Sequence, residues 1–261
     1  MAVRVAVSDP CAGRSAHAGL GDFTHAYDVF QDLAHQALQV GEFPFQALCL
    51  FSGYPYQAYP QSALFYPGTW ITLIPSLLGG ASHASLDAFH LESLIHLWIA
   101  RVTAYALFAR ETGSPWGGPI GAAGFAFGGY LTGYPVLQVS IAQASAWAPL
   151  LLLGLRALAE GRTVAGSLAT GAAGIFILLI GHPRLTLYAF LLGLVYFVFC
   201  LLRPGSIPYR RALRDAAWIG ALALGTTAIQ LLPTLEYYQH SNRVRLPFPE
   251  SGTGFPVQDV L

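Results

Sequence analysis

Long apolar runs, each bounded by arginine, glycine or proline, constrain this 261-residue chain more than any other feature. A helix that crosses the hydrocarbon core of a bilayer needs about 20 predominantly apolar residues. Six runs of about this length follow one another, at 88–109, 117–134, 137–156, 164–181, 185–202 and 212–235. The second run is rich in glycine, which weakens it as a span although glycine permits close helix contacts. The sequence therefore predicts an all-α, polytopic transmembrane bundle of five to six spans.

Composition and charge exclude several other classes of protein. Hydrophobic residues make up 54% of the chain and charged residues only 10%, which argues against a water-soluble globule. Thirteen basic residues, all arginine, balance thirteen acids, so no basic surface is available for nucleic acid. Without lysine there is no GxxxxGK[ST] phosphate loop, and neither HExxH nor GxSxG occurs. Nucleotide hydrolysis of that type, intramembrane metalloprotease chemistry and lipase-like chemistry are therefore not expected.

The arginines also predict how the chain is oriented, because arginine-rich short loops stay in the cytoplasm. Seven arginines lie at alternate ends of the predicted spans, whereas the opposite loops hold only Arg184, Arg243 and Arg245. Residues 22–87 contain no basic residue, so we place them outside as a first extracytoplasmic loop, before the transmembrane region 88–235 and an outer tail, 236–261. No apolar run in residues 1–21 could carry that loop outward. We therefore expect that residues 1–21 are misassigned, that a preceding span is missing and that the tail is truncated.

The predicted outer loop has two parts. Apolar residues recur at helical spacing over residues 27–40, which indicates an interfacial amphipathic helix. The following segment is crowded with aromatic residues, proline and glycine, and its rings belong at the depth of the lipid headgroups. A short apolar stretch, WITLIPSLL at 70–78, is too brief to cross the bilayer and should lie along the surface or re-enter it.

Six motifs follow one another along the chain: GD at 21–22, GEFPF at 41–45, FSGYPYQAYPQSALFYP at 51–67, SAWAPL at 145–150, GHPR at 181–184 and AIQLLPTLEYY at 228–238. In this order and spacing they resemble the YfhO-like bacterial membrane proteins, a branch of the GT-C superfamily of polytopic glycosyltransferases. The resemblance covers residues from about 21 to 245. It implies an enzyme of the bacterial cytoplasmic (inner) membrane that uses a polyprenyl-phosphate sugar as donor at the outer face. It also implies a catalytic aspartate in the first outer loop.

The position that matches the family's acidic motif is Asp22. A carboxylate there could accept the proton of an acceptor hydroxyl as its oxygen attacks the anomeric carbon, a role that contributes roughly 10² to 10⁴-fold to the rate. The leaving lipid phosphate also needs cationic or metal stabilisation. Asp28 and Asp32, one helical turn apart, could assist or hold a divalent metal such as Mg or Mn. Alternatively, both could simply face water.

Other polar residues near the outer ends of the spans are candidates for holding the donor phosphate or lining its cavity. These candidates are Glu92, His182, Arg184, Gln230, Glu236 and Arg243. Glu92 could instead belong to a helix-packing pair, His182 and Arg184 to an ordinary proline turn, and Arg243 could be a tail charge. The family more usually has glutamine where this chain has Arg184. Pro233 should kink the last span and aim Glu236 at the outer cavity.

Two more interpretations concern polar residues within the predicted spans. Glu92 and His96 are i,i+4 neighbours that could pair or line the cavity. Gln143 is one of several polar residues on the third predicted span that should hydrogen-bond between helices, while Trp147 should serve belt and packing roles.

The sequence leaves two classes of function open, besides the possibility that this chain is inactive alone because it has too few spans to close the cavity. The first is a glycosyltransferase whose acceptor is an envelope polymer such as a teichoic acid, a glycolipid or a protein. The second is a non-catalytic transporter or lipid-binding membrane protein of the same architecture. An inverted repeat of broken spans would favour the second class, and the sequence shows none. Membrane lipid is an expected partner of either, and nucleic acid of neither.

Overall fold

The computed structural model of the protein describes residues 28–47, 53–81, 84, 86–133 and 139–240. Within these ranges the regular structure is helical, apart from one isolated bridge between Ala47 and Tyr54. The helices are α1 (Asp28–Gln39), α2 (Pro67–Leu78), α3 (Leu86–Thr112), α4 (Gly117–Ala126), α5 (Gly129–Thr132), α6 (Val139–Ala159), α7 (Thr163–Ile180), α8 (Pro183–Leu201) and α9 (Tyr209–His240). Two short 3₁₀ turns, Tyr56–Ala58 and Pro60–Ser62, precede α2.

Five of the described helices, α3, α6, α7, α8 and α9, are long and apolar enough to cross a membrane. The predicted all-helical architecture is therefore confirmed for this part of the chain, and the five long helices are candidate spans by length and composition. Helix α9 has 32 residues and a length of about 48 Å, which exceeds the roughly 30 Å hydrocarbon core of a bilayer. It continues to His240, so the first residues of the predicted tail at 236–261 are helical.

The prediction of one continuous span at 117–134 is wrong. Helix α4 ends at Ala126, and ten residues reach only about 15 Å. At Gly128 the backbone is extended, with φ −63° and ψ 150°, before α5 adds a single short turn. The glycines serve close packing instead: a Cβ on Gly118 would collide with the ring of Tyr105, and one on Gly121 with the ring of Phe108. Glycine at these positions thus allows close contact with α3.

Helix α6 is the centre of the bundle and packs against α3, α7 and α8. Close approach to α7 depends on Gly154, where a Cβ would collide with the backbone of Thr170. Leu155, Leu158 and Ile177 lie in the core cluster that joins α6 to α7 and α8. The position of every other span is therefore set by its contacts with α6 or α7.

The two ends of the bundle differ. At one end, here called the arginine-rich end, the C-terminal ends of α3, α6 and α8 meet in a network of arginine and glutamate side chains. At the opposite end, residues 53–66, here called the cap segment, cover the ends of the spans. The structure thus gathers arginines predicted to be cytoplasmic at a single end, while the membrane face to which that end belongs stays a prediction.

The amphipathic helix predicted over residues 27–40 is present as α1. It packs on α2 through Ala34 and Leu73, which are fully buried. The indole of Trp70 in α2 donates a hydrogen bond of 3.0 Å to the Leu64 carbonyl of the cap segment. Helix α2 has only 12 residues, consistent with the prediction that this stretch does not cross a bilayer.

Candidate functional site

The cap segment is the place where distant parts of the chain meet. The indole Nε1 of Trp147, on α6, donates to the hydroxyl of Tyr66 over 2.9 Å. At Gly181, between α7 and α8, φ is +69°, and a Cβ would collide with the backbone of Pro60. This turn therefore requires glycine for both its backbone conformation and its contact with the cap segment.

Two side chains of helix α9 form hydrogen bonds with the cap segment. The Nε2 of Gln230 donates to the carbonyl of Gln57 over 3.0 Å, and the hydroxyl of Thr234 lies 3.0 Å from the carbonyl of Ala58. The predicted site residue Gln230 is 1% exposed, and its Oε1 has no hydrogen-bond partner among the described residues. Gln230 therefore binds the cap segment through its side-chain nitrogen, while its side-chain oxygen has no described partner.

Glu92 lies in the bundle next to the cap segment. It is 1% exposed, and its Oε1 accepts a hydrogen bond of 2.6 Å from Nε2 of Gln143 on α6. The same oxygen faces Gly68, where a Cβ would lie 2.8 Å away. The other oxygen, Oε2, has no hydrogen-bond partner within the described ranges. A buried carboxylate oxygen without a partner is rare, so this atom marks a candidate site for a ligand.

His96 does not pair with the Glu92 side chain. Its Nδ1 lies 2.7 Å from the backbone carbonyl of Glu92, and its Nε2 contacts the hydroxyl of Tyr66. A carbonyl can only accept, so Nδ1 carries the proton and Nε2 accepts from Tyr66. Burial raises the pKa of Tyr66, an effect that the hydrogen bond from Trp147 only partly offsets. The phenol therefore keeps its proton at neutral pH and links α3 to α6.

His182 begins α8 as its N-cap. Its Nδ1 accepts a hydrogen bond of 3.3 Å from the amide of Leu185, and the residue is 8% exposed. Desolvation lowers its pKa below the ordinary histidine value, and the positive charge of Arg184 lowers it further. A neutral Nδ1 is what the cap requires. The structural interpretation of the GHPR turn is thus supported for His182, whereas Arg184 is exposed and forms no ion pair with the described residues.

Glu236 lies exposed on the outer part of α9, which continues through Pro233 without ending. Its backbone carbonyl accepts from Nδ1 of His240 over 2.9 Å. Glu236 is exposed, whereas Glu92 is buried, so the two residues lie in different environments. A role of Glu236 in a donor cavity stays a prediction.

Asp32 is buried and does not face water. Its Oδ1 accepts from the amide of Ala84 over 3.1 Å, and its Oδ2 from the side chain of Gln36 over 3.0 Å. The bond from Ala84 ties α1 to the segment before α3, whereas the bond from Gln36 lies within α1. The described residues contain no cluster of three or more His, Cys, Asp or Glu side chains, and Asp32 already uses both oxygens for protein donors. A Mg or Mn site stays a prediction, because Asp22 and the side chain of Asp28 lie outside the described residues.

Three of the predicted site groups lie outside the described residues: Asp22, Arg243 and the side chain of Asp28, whose backbone starts α1. Their roles stay predictions.

Sequence reasoning missed the polar contacts of Tyr66 and Trp147. Both residues stand among many aromatics, so composition alone indicated membrane-interface belts. The prediction that Gln143 bonds between helices is confirmed, but its partner, Glu92, was not foreseen. Only the placement of α3 beside α6 reveals that pair.

Comparisons of the chain with protein-family models, with curated proteins and with solved structures find no match. The fold by itself defines a class: within its described part, the chain is an α-helical protein whose five long apolar helices indicate a multi-pass membrane protein.

Proposed function

We propose that the chain is a GT-C-type glycosyltransferase of the bacterial cytoplasmic membrane, transferring a sugar from a polyprenyl-phosphate donor to an envelope acceptor at the extracytoplasmic face. The supporting observation is the convergence of motif segments at one end of the bundle. Segments 53–67, 145–150, 181–184 and 228–238 are distant in sequence, yet the cap segment contacts each of the other three. Substrate sites are commonly assembled in this way from separate helices.

A small apolar groove beside Arg184 supports a lipid-linked donor. It has a volume of about 150 Å³ and runs between the α4–α5 region, α6 and α8. Phe125, Tyr130, Leu185 and Tyr188 are among its lining residues. An isoprenoid chain suits such a surface, while the exposed guanidinium of the neighbouring Arg184 offers paired N–H groups to a phosphate.

In the proposed reaction, the acceptor oxygen forms a bond to the anomeric carbon of the sugar. The bond from that carbon to the phosphate oxygen breaks, and its electron pair leaves with the polyprenyl phosphate. Asp22 takes the proton of the acceptor hydroxyl, and Arg184 stabilises the negative charge that develops on the phosphate. Near the cap segment, the buried pair of Glu92 and Gln143 joins α3 to α6, as do the hydrogen bonds of Tyr66 with His96 and Trp147.

The experiment that tests the proposal measures transfer of labelled sugar from a polyprenyl-phosphate donor in membranes containing the full-length protein. Asp22→Asn should lower the rate by roughly 10² to 10⁴-fold, the usual contribution of a general base. Asp215→Asn, at the arginine-rich end, is the matched control and should leave transfer unchanged. Full activity of Asp22→Asn would remove the mechanism, and a chain that binds lipid without transferring sugar would favour the non-catalytic alternative.

A further inference from the structure

A larger apolar groove lies between α6, α7, α8 and α9. Helix α8 packs mainly on α6 and helix α9 mainly on α7, and the space that all four helices line has a volume of about 550 Å³. Its wall includes Leu151, Phe190, Leu194 and Gly220, and almost none of its surface is polar. Because these helices are candidate membrane spans, the groove faces the hydrocarbon interior, where an acyl chain is the natural occupant.

A polar pocket adjoins the groove along two of the same helices. On α6 the groove residue Leu155 is followed directly by Arg156, and Arg203 lies just after the end of α8, six residues beyond the groove residue Phe197. Both arginines line a second cavity of about 140 Å³, together with Ser206 of the following loop. An apolar groove and a cationic pocket are thus arranged in sequence from the interior of the bundle to its end.

The negative charges of the carboxylates beside this pocket are already compensated by arginine side chains. Glu160, which also lines it, accepts from Arg156 through Oε1 and pairs with Arg110 through Oε2. Although partial burial raises the pKa of Glu160, the hydrogen bonds from Arg110 and Arg156 hold it below the ordinary value. Glu111 likewise accepts from Arg156 and, over 2.7 Å, from Arg203.

Arg203 keeps donors for another ligand. A guanidinium carries five N–H groups, and within the described residues Glu111 takes one of those on Arg203. Three further arginines, Arg210, Arg211 and Arg214, stand in the first turns of α9. This end of the bundle therefore has an excess of positive charge, complementary to a phosphate.

We propose that the groove binds one acyl chain of an anionic phospholipid and that the pocket binds its phosphate through Arg156 and Arg203. The arrangement matches a phospholipid in both respects, because apolar surface lies at hydrocarbon depth and arginine at headgroup depth. A zwitterionic lipid would bring its own cation against the arginines and gain less. The phosphate pocket lies at the opposite end of the bundle from the cap segment, and lipid binding here does not depend on the proposed transferase activity.

The test is lipid binding by the purified, delipidated full chain in detergent, followed by native mass spectrometry. The probes are phosphatidylglycerol, phosphatidylcholine with the same acyl chains, and inorganic phosphate. Gly220→Phe should fill the groove, because a Cβ there meets nothing within 4 Å. Gly225→Phe is its matched control, since Gly225 lies on the same helix with equally open space and does not line the groove. Arg203→Gln tests the pocket, with the exposed Arg211→Gln as control.

We expect one phosphatidylglycerol to bind at least about tenfold more tightly than phosphatidylcholine, and both Gly220→Phe and Arg203→Gln to weaken it by about tenfold. The two controls should bind like the unaltered chain. Equal affinity for the two lipids, equal weakening by Gly225→Phe, or complete competition by inorganic phosphate at the same affinity would each overturn the proposal. A concentration-dependent dimer that Gly220→Phe abolishes would also overturn it, because a second copy would then occupy the groove.

Discussion

The two ends of the bundle hold their helices together by different chemistry. At the cap end, neutral groups dominate: Tyr66, His96 and Trp147 share hydrogen bonds, and among the described residues the side-chain donor to Glu92 is the amide of Gln143. At the other end, ion pairs among partly exposed arginines and glutamates join the helices. Buried polar groups depend strongly on each partner, whereas exposed ion pairs contribute little individually. The cap end should therefore tolerate substitution far less well.

Removal of the partner of Glu92 should have the largest effect. Gln143→Leu leaves both oxygens of a buried carboxylate without a described protein donor, and we expect it to lower the free energy of unfolding by about 3 kcal/mol. Denaturant titration in micelles measures this loss. The double variant Gln143→Leu, Glu92→Leu removes the stranded group and should regain much of the stability. A double variant no more stable than the single one would show that Glu92 is not stranded.

The contact of the α7–α8 turn with the cap segment should come second. Gly181→Ala combines a positive φ with a collision against Pro60, and we expect a loss of about 2 kcal/mol. Gly205→Ala is the matched control, because Gly205 has φ +84° and open space around it. It should lose about 1 kcal/mol from backbone strain alone. Equal losses for the two variants, measured by the same titration, would mean that the cap segment does not press on this turn.

The His182 cap should make the stability depend on pH. Because the folded state lowers the pKa of His182, the folded chain binds its proton less readily than the unfolded chain does. This contribution is complete above the ordinary histidine pKa and is lost as the pH falls through the lower folded value. We expect a cap contribution of about 1 kcal/mol at pH 8 that declines on acidification.

His182→Asn retains a capping acceptor that does not titrate. The difference in unfolding free energy between this variant and the unaltered chain, measured from pH 8 to pH 5, isolates the histidine. We expect the asparagine variant to gain relative stability toward pH 5. A difference that is constant across this range would contradict the assignment of a neutral cap.

The ion pair between Arg110 and Glu160 should have the smallest effect. Both side chains are about one-third exposed, at 32% and 33%, so screening by water and salt is strong. Arg110→Gln should cost about 0.5 kcal/mol, and the loss should shrink in high salt. A loss comparable to that of Gln143→Leu would show that the two ends do not differ as described.

Run length predicted the helices well where an apolar run forms a single long helix. The apolar runs of α6, α7 and α8 meet lipid or core on every side, and their positions follow from length alone. The run at 117–134 misled because glycine supplies apolar character without fixing a helix, and its role is contact with the rings of Tyr105 and Phe108. Composition cannot distinguish an apolar run that forms one long helix from a glycine-rich run that packs against a neighbouring helix.

The candidate site was harder to predict than the helices. Polar residues in apolar runs were visible in the sequence, but their partners depend on which helices adjoin. Asp32 was expected to assist catalysis or face water. Its carboxylate instead accepts a hydrogen bond from the amide of Ala84, a residue 52 positions further along the chain. Similarly, nothing in the sequence joins Gln230 to Gln57, because their contact spans 173 positions.

Labelling of single cysteines in intact cells tests the central claim, that the cap end faces outward, most directly. After replacement of Cys11, Cys49 and Cys200, the exposed positions Glu42, near the cap segment, and Pro204, at the arginine-rich end, receive cysteine in turn. A membrane-impermeant maleimide should label Glu42→Cys in intact cells and Pro204→Cys only after the membrane is opened. Labelling of Pro204→Cys alone in intact cells would contradict the orientation and, with it, a sugar transfer at the outer face.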